Sequence, residues 1–209
     1  MVRILIIGDL HAPNRAKDCP EQIYSKINEL SETELFDYTL FTGDLVKFPE
    51  FIEFLDSKTK NKLFIVMGNM DYHYGNHDAP IYESIDIIFE DNEKMIIGLT
   101  HGAQISPRGD HEQLEILANK KNYNVLISGH THKEEIFLTN NGILLINPGS
   151  VTGAWSFVAS GIPSFVELQI NKKTKEINVD LIQIDKQSRD IIVVMSSFFF
   201  RNNQIIKKI

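Results

Sequence analysis

Short apolar runs that end in glycine alternate with helix-spaced segments through the first third of the chain. Val2 to Ile7 is apolar apart from Arg3 and predicts a buried central strand ending at Gly8. Pro20 to Leu30 has helical spacing, with Ile23, Ile27 and Leu30 on one stripe and Pro20 suited to a helix start. Asp37 to Phe41 predicts a second strand, closed by Thr42-Gly43-Asp44. Pro49 to Leu55 predicts a helix with Phe51, Ile52, Phe54 and Leu55 inward, and Leu63 to Met67 a third strand closed by Gly68-Asn69. Alternating strands and helices with short joins imply parallel pairing through right-handed crossovers. Ligand sites in such sheets lie at the carboxyl ends of the strands.

Further along the pattern turns mostly β. Met70 to Pro80 reads as a polar loop, and Ile85–Phe89 with Met95–Leu99 as a strand pair around an acidic turn. Asp110 can cap a helix running to about Lys121, with Leu114, Leu117 and Ala118 buried. Asn124 to Ser128 is a buried strand leading into Gly129-His130-Thr131-His132. Glu135–Leu138 and Ile143–Ile146 flank Asn140-Asn141-Gly142, a strong hairpin signal. Phe165–Ile170, Ile177–Ile184 and Ile191–Phe199 follow as antiparallel strands. Two sheets packed face to face with helices outside, an α/β architecture in one domain over residues 1–209, satisfy this pattern. Residues 185–209 are the least regular: one ring of Phe198-Phe199-Phe200 is expected to be exposed, covered by the tail or by a second subunit. Trp155 and Phe157 read as a pair at the core edge rather than as a partner-binding patch.

The strand ends carry the chemistry. Asp9, His11, Asp44, Asn69, His101, His130 and His132 all fall just after apolar runs. Any one of them alone would be a turn cap, whereas seven nitrogen and oxygen donors at five strand ends point to metal. The absence of cysteine among them suits manganese, with zinc, iron or nickel as alternatives. A carboxylate such as Asp44 is the natural bridge between two ions, which can share and acidify a water and clamp a phosphoryl group.

Composition narrows the classes. Hydrophobic residues make up 43% and charged residues 23%, which fits a globular chain rather than a disordered one. The single cysteine, Cys19, excludes a disulfide framework and favours a cytoplasmic location. No secretory signal pattern opens the sequence, and no apolar run approaches the roughly 20 residues that span a bilayer. A net charge of −7 argues against a broad nucleic-acid footprint. It leaves room for an anionic substrate, because two divalent cations outweigh the charges of Asp9 and Asp44.

The motifs D-x-H at Asp9 and His11, G-D at Asp44, G-N at Asn69, H-G at His101 and G-H-x-H at His130 and His132 resemble the calcineurin-like metallophosphoesterase superfamily, in its order. That resemblance implies a four-layer αββα sandwich. It implies one metal held by Asp9, His11, Asp44 and His132, and a second by Asp44, Asn69, His101 and His130. It implies phosphoester, chiefly phosphodiester, hydrolysis, with Asp44, Asn69 and His101 in the catalytic set. GDLHAPNR at Gly8–Arg15, LISGHTHK at Leu126–Lys133, INPGSVTGA at Ile146–Ala154 and IPSF at Ile162–Phe165 are similar to the small subunit of the retromer sorting complex. The likeness implies an alternative role, a protein-interaction scaffold with protein partners and a retained metal site. Eukaryotic members of that branch typically lack the carboxylate of G-D and the asparagine of G-N, both present here. Met70 stands where larger phosphatases carry a proton-donating histidine, and Ala103 replaces the second histidine of H-G-H. His73 or His77, in the 70–80 segment, is the candidate substitute donor, although surface-loop histidines are more often simply solvated.

Overall fold

The structure, a computed structural model, describes residues 1–208. β1 (Val2–Ile7), α1 (Glu21–Ser31), β2 (Phe36–Phe41), α2 (Pro49–Ser57) and β3 (Thr59–Ile65) form the predicted alternation. β1 pairs parallel with β2, and β2 with β3. A short α3 (Asn69–His73) follows, then β4 (Tyr82–Ile88), β5 (Lys94–Thr100), α4 (His111–Lys121), β6 (Val125–Ser128), β7 (Glu134–Leu138) and β8 (Leu144–Pro148). The chain closes with β9 (Ser164–Ile170), β10 (Glu176–Ile184), β11 (Ile191–Arg201) and β12 (Gln204–Lys207).

One sheet has seven strands in the order β12-β11-β10-β9-β1-β2-β3; the other has five, β4-β5-β6-β8-β7. Alternation within β1 shows how the layers are specified. Ile4 and Ile6 enter the core between the sheets, with Ile97, Leu99, Val125 and Ile127 from the facing sheet. Leu5 and Ile7 point the other way, onto Ile23 and Ile27 of α1 and Phe51 and Leu55 of α2. Leu114 and Ala118 of α4 cover the outside of the second sheet against Leu126 and Leu145. Helices, sheet, sheet and helix make the four-layer αββα sandwich, a mixed α/β fold.

Two polar devices hold elements in place. Arg3 enters the first sheet beside Glu167 of β9, its Nε and Nη2 donating to Oε1 at 2.9 and 2.7 Å, and Nη2 also reaching the Leu30 carbonyl. Asp110 accepts from the Gln113 N–H at 2.9 Å and caps α4, as its position predicts.

The 70–80 segment is not wholly a loop. Asn69–His73 forms a helical turn because Asp71 accepts the Gly68 N–H at 3.0 Å, capping it from within. The tail forms a hairpin with β11 that sequence reading leaves out. Asn202 and Asn203, both left-handed at φ +51° and +61°, make the tight turn between β11 and β12. Phe198 and Phe200 are buried while Phe199 is half-buried, with Arg201 and Lys208 over its ring at 5.0 and 5.7 Å. The ring left outside is thus covered from the tail; Ile209, the end of that segment, lies outside the described residues.

Candidate metal centre

The carboxyl ends of β1, β2, β5 and β6 and the start of α3 converge on one crevice. Asp9 and His11 follow β1, Asp44 follows β2, Asn69 opens α3, His101 follows β5, and His130 and His132 follow β6. Backbone hydrogen bonds lace the loops together: Asp9 N–H to the Gly43 carbonyl, His11 N–H to Asp44, and Gly129 N–H to His101, at 2.9, 2.9 and 3.0 Å. Asp9, His11, Asp44, His130 and His132 all have left-handed backbones, with φ between +51° and +69°. Non-glycine residues adopt that region at a cost, and clusters of them mark functional sites. Glycine is required where the loops touch. A β-carbon on Gly68 would lie 2.0 Å from Asp44 Oδ1, and one on Gly129 would lie 2.6 Å from Asp9 Oδ2.

The side chains gather into two overlapping groups. In the first, His11 Nε2 lies 3.0 Å from His132 Nε2 and 3.3 Å from Asp44 Oδ2, and His132 Nε2 lies 3.4 Å from Asp9 Oδ1. One donor atom from each of Asp9, His11, Asp44 and His132 falls within 4.8 Å of all the others. In the second, His101 Nε2 lies 3.5 Å from the same Asp44 Oδ2, 3.0 Å from Asn69 Oδ1 and 3.2 Å from His130 Nδ1. Asp44 Oδ2 is common to both groups.

Each carboxylate uses one oxygen as an anchor and presents the other. Asp9 Oδ2 accepts the His130 N–H at 3.1 Å, and Asp44 Oδ1 accepts the Met70 N–H at 2.7 Å. Asp9 Oδ1 is buried with no hydrogen-bond partner. An anionic oxygen stripped of water and of donors is costly unless a cation faces it. The imidazoles are set the same way. His101 Nδ1 donates to the Thr42 carbonyl at 2.8 Å and His132 Nδ1 to the Ala154 carbonyl at 2.9 Å. Carbonyls only accept, so both rings carry their proton on Nδ1 and turn a bare Nε2 to the crevice, the arrangement of metal-ligating histidines. The donor set fits divalent metal.

Electrostatics match. Burial pushes His11 down to about 3 and His130 down to about 4, so both imidazoles stay neutral at neutral pH. Burial alone would raise Asp9, but His132, His101 and His11 around it win and hold it at about 2. Asp44 is raised to about 6 by burial against the pull of His101. His132 is raised despite its burial, because Asp9 sits beside it.

Residues around the crevice complete its setting. Asp71 holds the Asp44 loop by its backbone. Its carboxylate accepts the N–H groups of Asp44 at 2.7 Å, Val46 at 2.9 Å and Gly68 at 3.0 Å. Trp155 and Phe157 are not a core-edge pair: they are 64% and 80% exposed. Ala154 and Ser156 beside them are buried, bonded to His132 and to the Thr131 carbonyl, which forces the residues between and after them outward. His73 and His77 are exposed, His77 stacked on Tyr72 at 4.4 Å with Nε2 against the Tyr72 carbonyl. Neither is hydrogen-bonded to the seven residues among those described. His111 sits at the start of α4, 2.8 Å from Glu135 and stacked on Phe137.

The chain is similar to several known proteins. A "Probable metallophosphoesterase" of Methanothermobacter thermautotrophicus is 36% identical over 147 residues, 70% of this chain and 76% of that protein. Vacuolar Protein Sorting 29 from Cryptosporidium parvum is 32% identical, with a TM-score of 0.79 over 95% of this chain and 98% of that one. Wild-type Vps29 of Entamoeba histolytica, solved as a zinc complex, is 30% identical with a TM-score of 0.77, over 93% of this chain and 99% of that one. The pattern that describes the Calcineurin-like phosphoesterase superfamily domain matches residues 2–173, and the chain belongs to that superfamily.

Proposed function

We propose that this protein is a phosphodiesterase that works through two divalent cations, one held by Asp9, His11, Asp44 and His132, the other by Asp44, Asn69, His101 and His130. The single observation that carries the reading is Asp44 Oδ2, which lies 3.3 Å from a nitrogen of one group and 3.5 Å from a nitrogen of the other. One carboxylate oxygen facing an imidazole nitrogen of each group is what a bridging ligand requires. The orphaned Asp9 Oδ1 supports the same conclusion. Nitrogen and oxygen donors without sulfur suit manganese, zinc or iron rather than a soft metal, and manganese is the first ion to try.

When bound, the cations would acidify a water and draw charge from the phosphoryl oxygens. The chain itself fixes the geometry. Asp44 is held from its backbone by Asp71 and from Oδ1 by Met70, while the Thr42 and Ala154 carbonyls lock two of the imidazoles. Asn69 offers Oδ1 toward His101 and leaves its amide to orient a phosphate oxygen. Met70 has no proton to give a leaving group, and general acid help is worth about 10²–10⁴-fold. Diesters of acidic alcohols, which leave without that help, suit the site better than alkyl monoesters. The single cysteine, buried and unpaired, supports a cytoplasmic setting.

The test is hydrolysis of an aryl phosphodiester with and without Mn²⁺. Metal-dependent turnover that vanishes in Asp44→Asn supports the proposal. Likeness to Vps29 along nearly the whole chain carries a second reading, a protein-interaction scaffold that retains its metals. Full metal loading with no turnover on mono- or diesters decides for that scaffold.

A further inference from the structure

An aromatic and cationic patch adjoins the loops that carry His11, His130 and His132, and none of the roles above uses it. Its rigidity comes from the centre itself. The Ala154 carbonyl accepts from His132 Nδ1 at 2.9 Å, and Ser156 Oγ donates to the Thr131 carbonyl at 2.5 Å. Trp155 lies between these buried anchors with its ring in solvent, and Phe157 meets it edge-on at 5.1 Å between centroids. Two guanidinium groups flank the pair. Arg15 Nη1 donates to the Trp155 carbonyl at 2.8 Å, and the Arg15 backbone N–H bonds to the His11 carbonyl at 2.9 Å. Arg108 lies 5.7 Å from the Phe157 ring centre and 3.4 Å, through Nη1, from the His130 carbonyl.

Large exposed rings on a rigid backbone, one residue from an atom that holds a crevice histidine, form a stacking platform. Cations at its sides, in a chain of net charge −7, place positive potential where an anion would enter. Stacking accepts any flat ring, and the guanidiniums accept the phosphate oxygens beside it. We propose that Trp155 and Phe157 bind a flat aromatic substituent of the phosphoester, a nucleobase or aryl group, while Arg15 and Arg108 take its phosphate charge. The proposal rests on the phosphoesterase reading for its turnover, but the platform itself can be tested without catalysis.

Trp155 is the single tryptophan of the chain, so intrinsic emission reports its ring alone. The full chain loaded with Mn²⁺ is titrated with adenosine 5′-monophosphate, phenyl phosphate, ribose 5-phosphate and inorganic phosphate. Saturable quenching by an aromatic ester, at least tenfold tighter than any response to ribose 5-phosphate or phosphate, supports the platform. The adenosine and phenyl arms tell a nucleobase from a smaller aryl group. Phe157→Ala, which removes a ring that is 80% exposed, weakens the quenching roughly fivefold or more, as loss of a stacking partner does. A matched pair of p-nitrophenyl phosphodiesters, one thymidine 5′-linked and one ethyl-linked, then reads the same preference in kcat/KM. Trp155→Ala brings the ratio of the two close to one. Equal responses to all four phosphates, or none, overturn the platform. Quenching with no turnover of either diester leaves the platform standing and refutes the phosphoesterase reading instead.

Discussion

Removing the charge of Asp71 should weaken the fold and the metal centre together. Its carboxylate takes three backbone N–H groups from two loops, those of Asp44 and Gly68 on Oδ2 and that of Val46 on Oδ1. Two of the residues so held, Asp44 and Val46, are left-handed at φ +57° and +77°, the second an unusual setting for a β-branched side chain. In Asp71→Asn the amide oxygen can still accept two N–H groups, but the amide nitrogen then faces the third donor. Hydrogen bonds to a charged group contribute about 1.5–3 kcal/mol each, against about 1 for neutral ones, and an unsatisfied buried donor costs about 1–3. Losing one bond and the charge assistance of the others comes to about 2–4 kcal/mol. In a domain of this size that is a fall in Tm of about 5–15 °C. The assay is thermal unfolding of metal-stripped protein, wild type against Asp71→Asn, followed by Mn²⁺ titration of both. Asp71 touches no donor atom of the crevice, so a tenfold or greater loss of Mn²⁺ affinity reads its hold on the Asp44 loop. A Tm within about 2 °C of wild type, or an unchanged Mn²⁺ affinity, would refute that reasoning.

Other outcomes follow from the same geometry. Arg3→Met leaves Glu167 buried and unpaired in the sheet, a change that typically costs about 3–5 kcal/mol, and urea unfolding should show a loss of unfolding free energy of that size. Gly68→Ala would place a β-carbon 2.0 Å from Asp44 Oδ1, so metal content should drop even where circular dichroism stays native. Asp44 is raised to about 6 in the metal-free protein, chiefly by burial, so cations compete with a proton there below about pH 6. Because its folded pKa lies above the unfolded one, ionising Asp44 removes stability from the metal-free fold as pH rises through 6. The depressed His11 and His130 act oppositely, losing stability as pH falls from about 6.5 toward their values of about 3 and 4. The rise in Tm on adding Mn²⁺ should therefore grow from about pH 5 to pH 7; a rise that is flat or shrinks across that range contradicts the assignment of Asp44.

Local pattern made much of the fold legible, and tertiary contact made the rest invisible. Val2–Ile7, Pro49 onward and Asn124–Ser128 announce themselves because burial on both faces, or on one helical stripe, writes itself into consecutive residues. The gathering of the strand-end residues in one crevice was readable for the same reason, since strand ends are where such sheets place their sites. α3 was hidden because Asn69–His73 has no apolar period; it forms around the Asp71 carboxylate. β12 was hidden by a turn built from Asn202-Asn203 rather than the commoner Asn-Gly, although two successive asparagines tolerate left-handed backbones and were the available signal. Trp155 and Phe157 look like core by composition. Their exposure is set by what Ala154 and Ser156 bond to on another loop, which no local pattern records.

The central claim is a two-metal centre bridged by Asp44. The most direct test counts metal in protein purified without chelator and reloaded with Mn²⁺, wild type beside Asp44→Asn, by mass spectrometry of the bound ions per folded chain. The geometry predicts close to two ions in wild type and a loss of both, or of all but a weakly held one, in the variant, because the same Oδ2 serves each group. One ion in wild type, or two that persist without the Asp44 carboxylate, would contradict it.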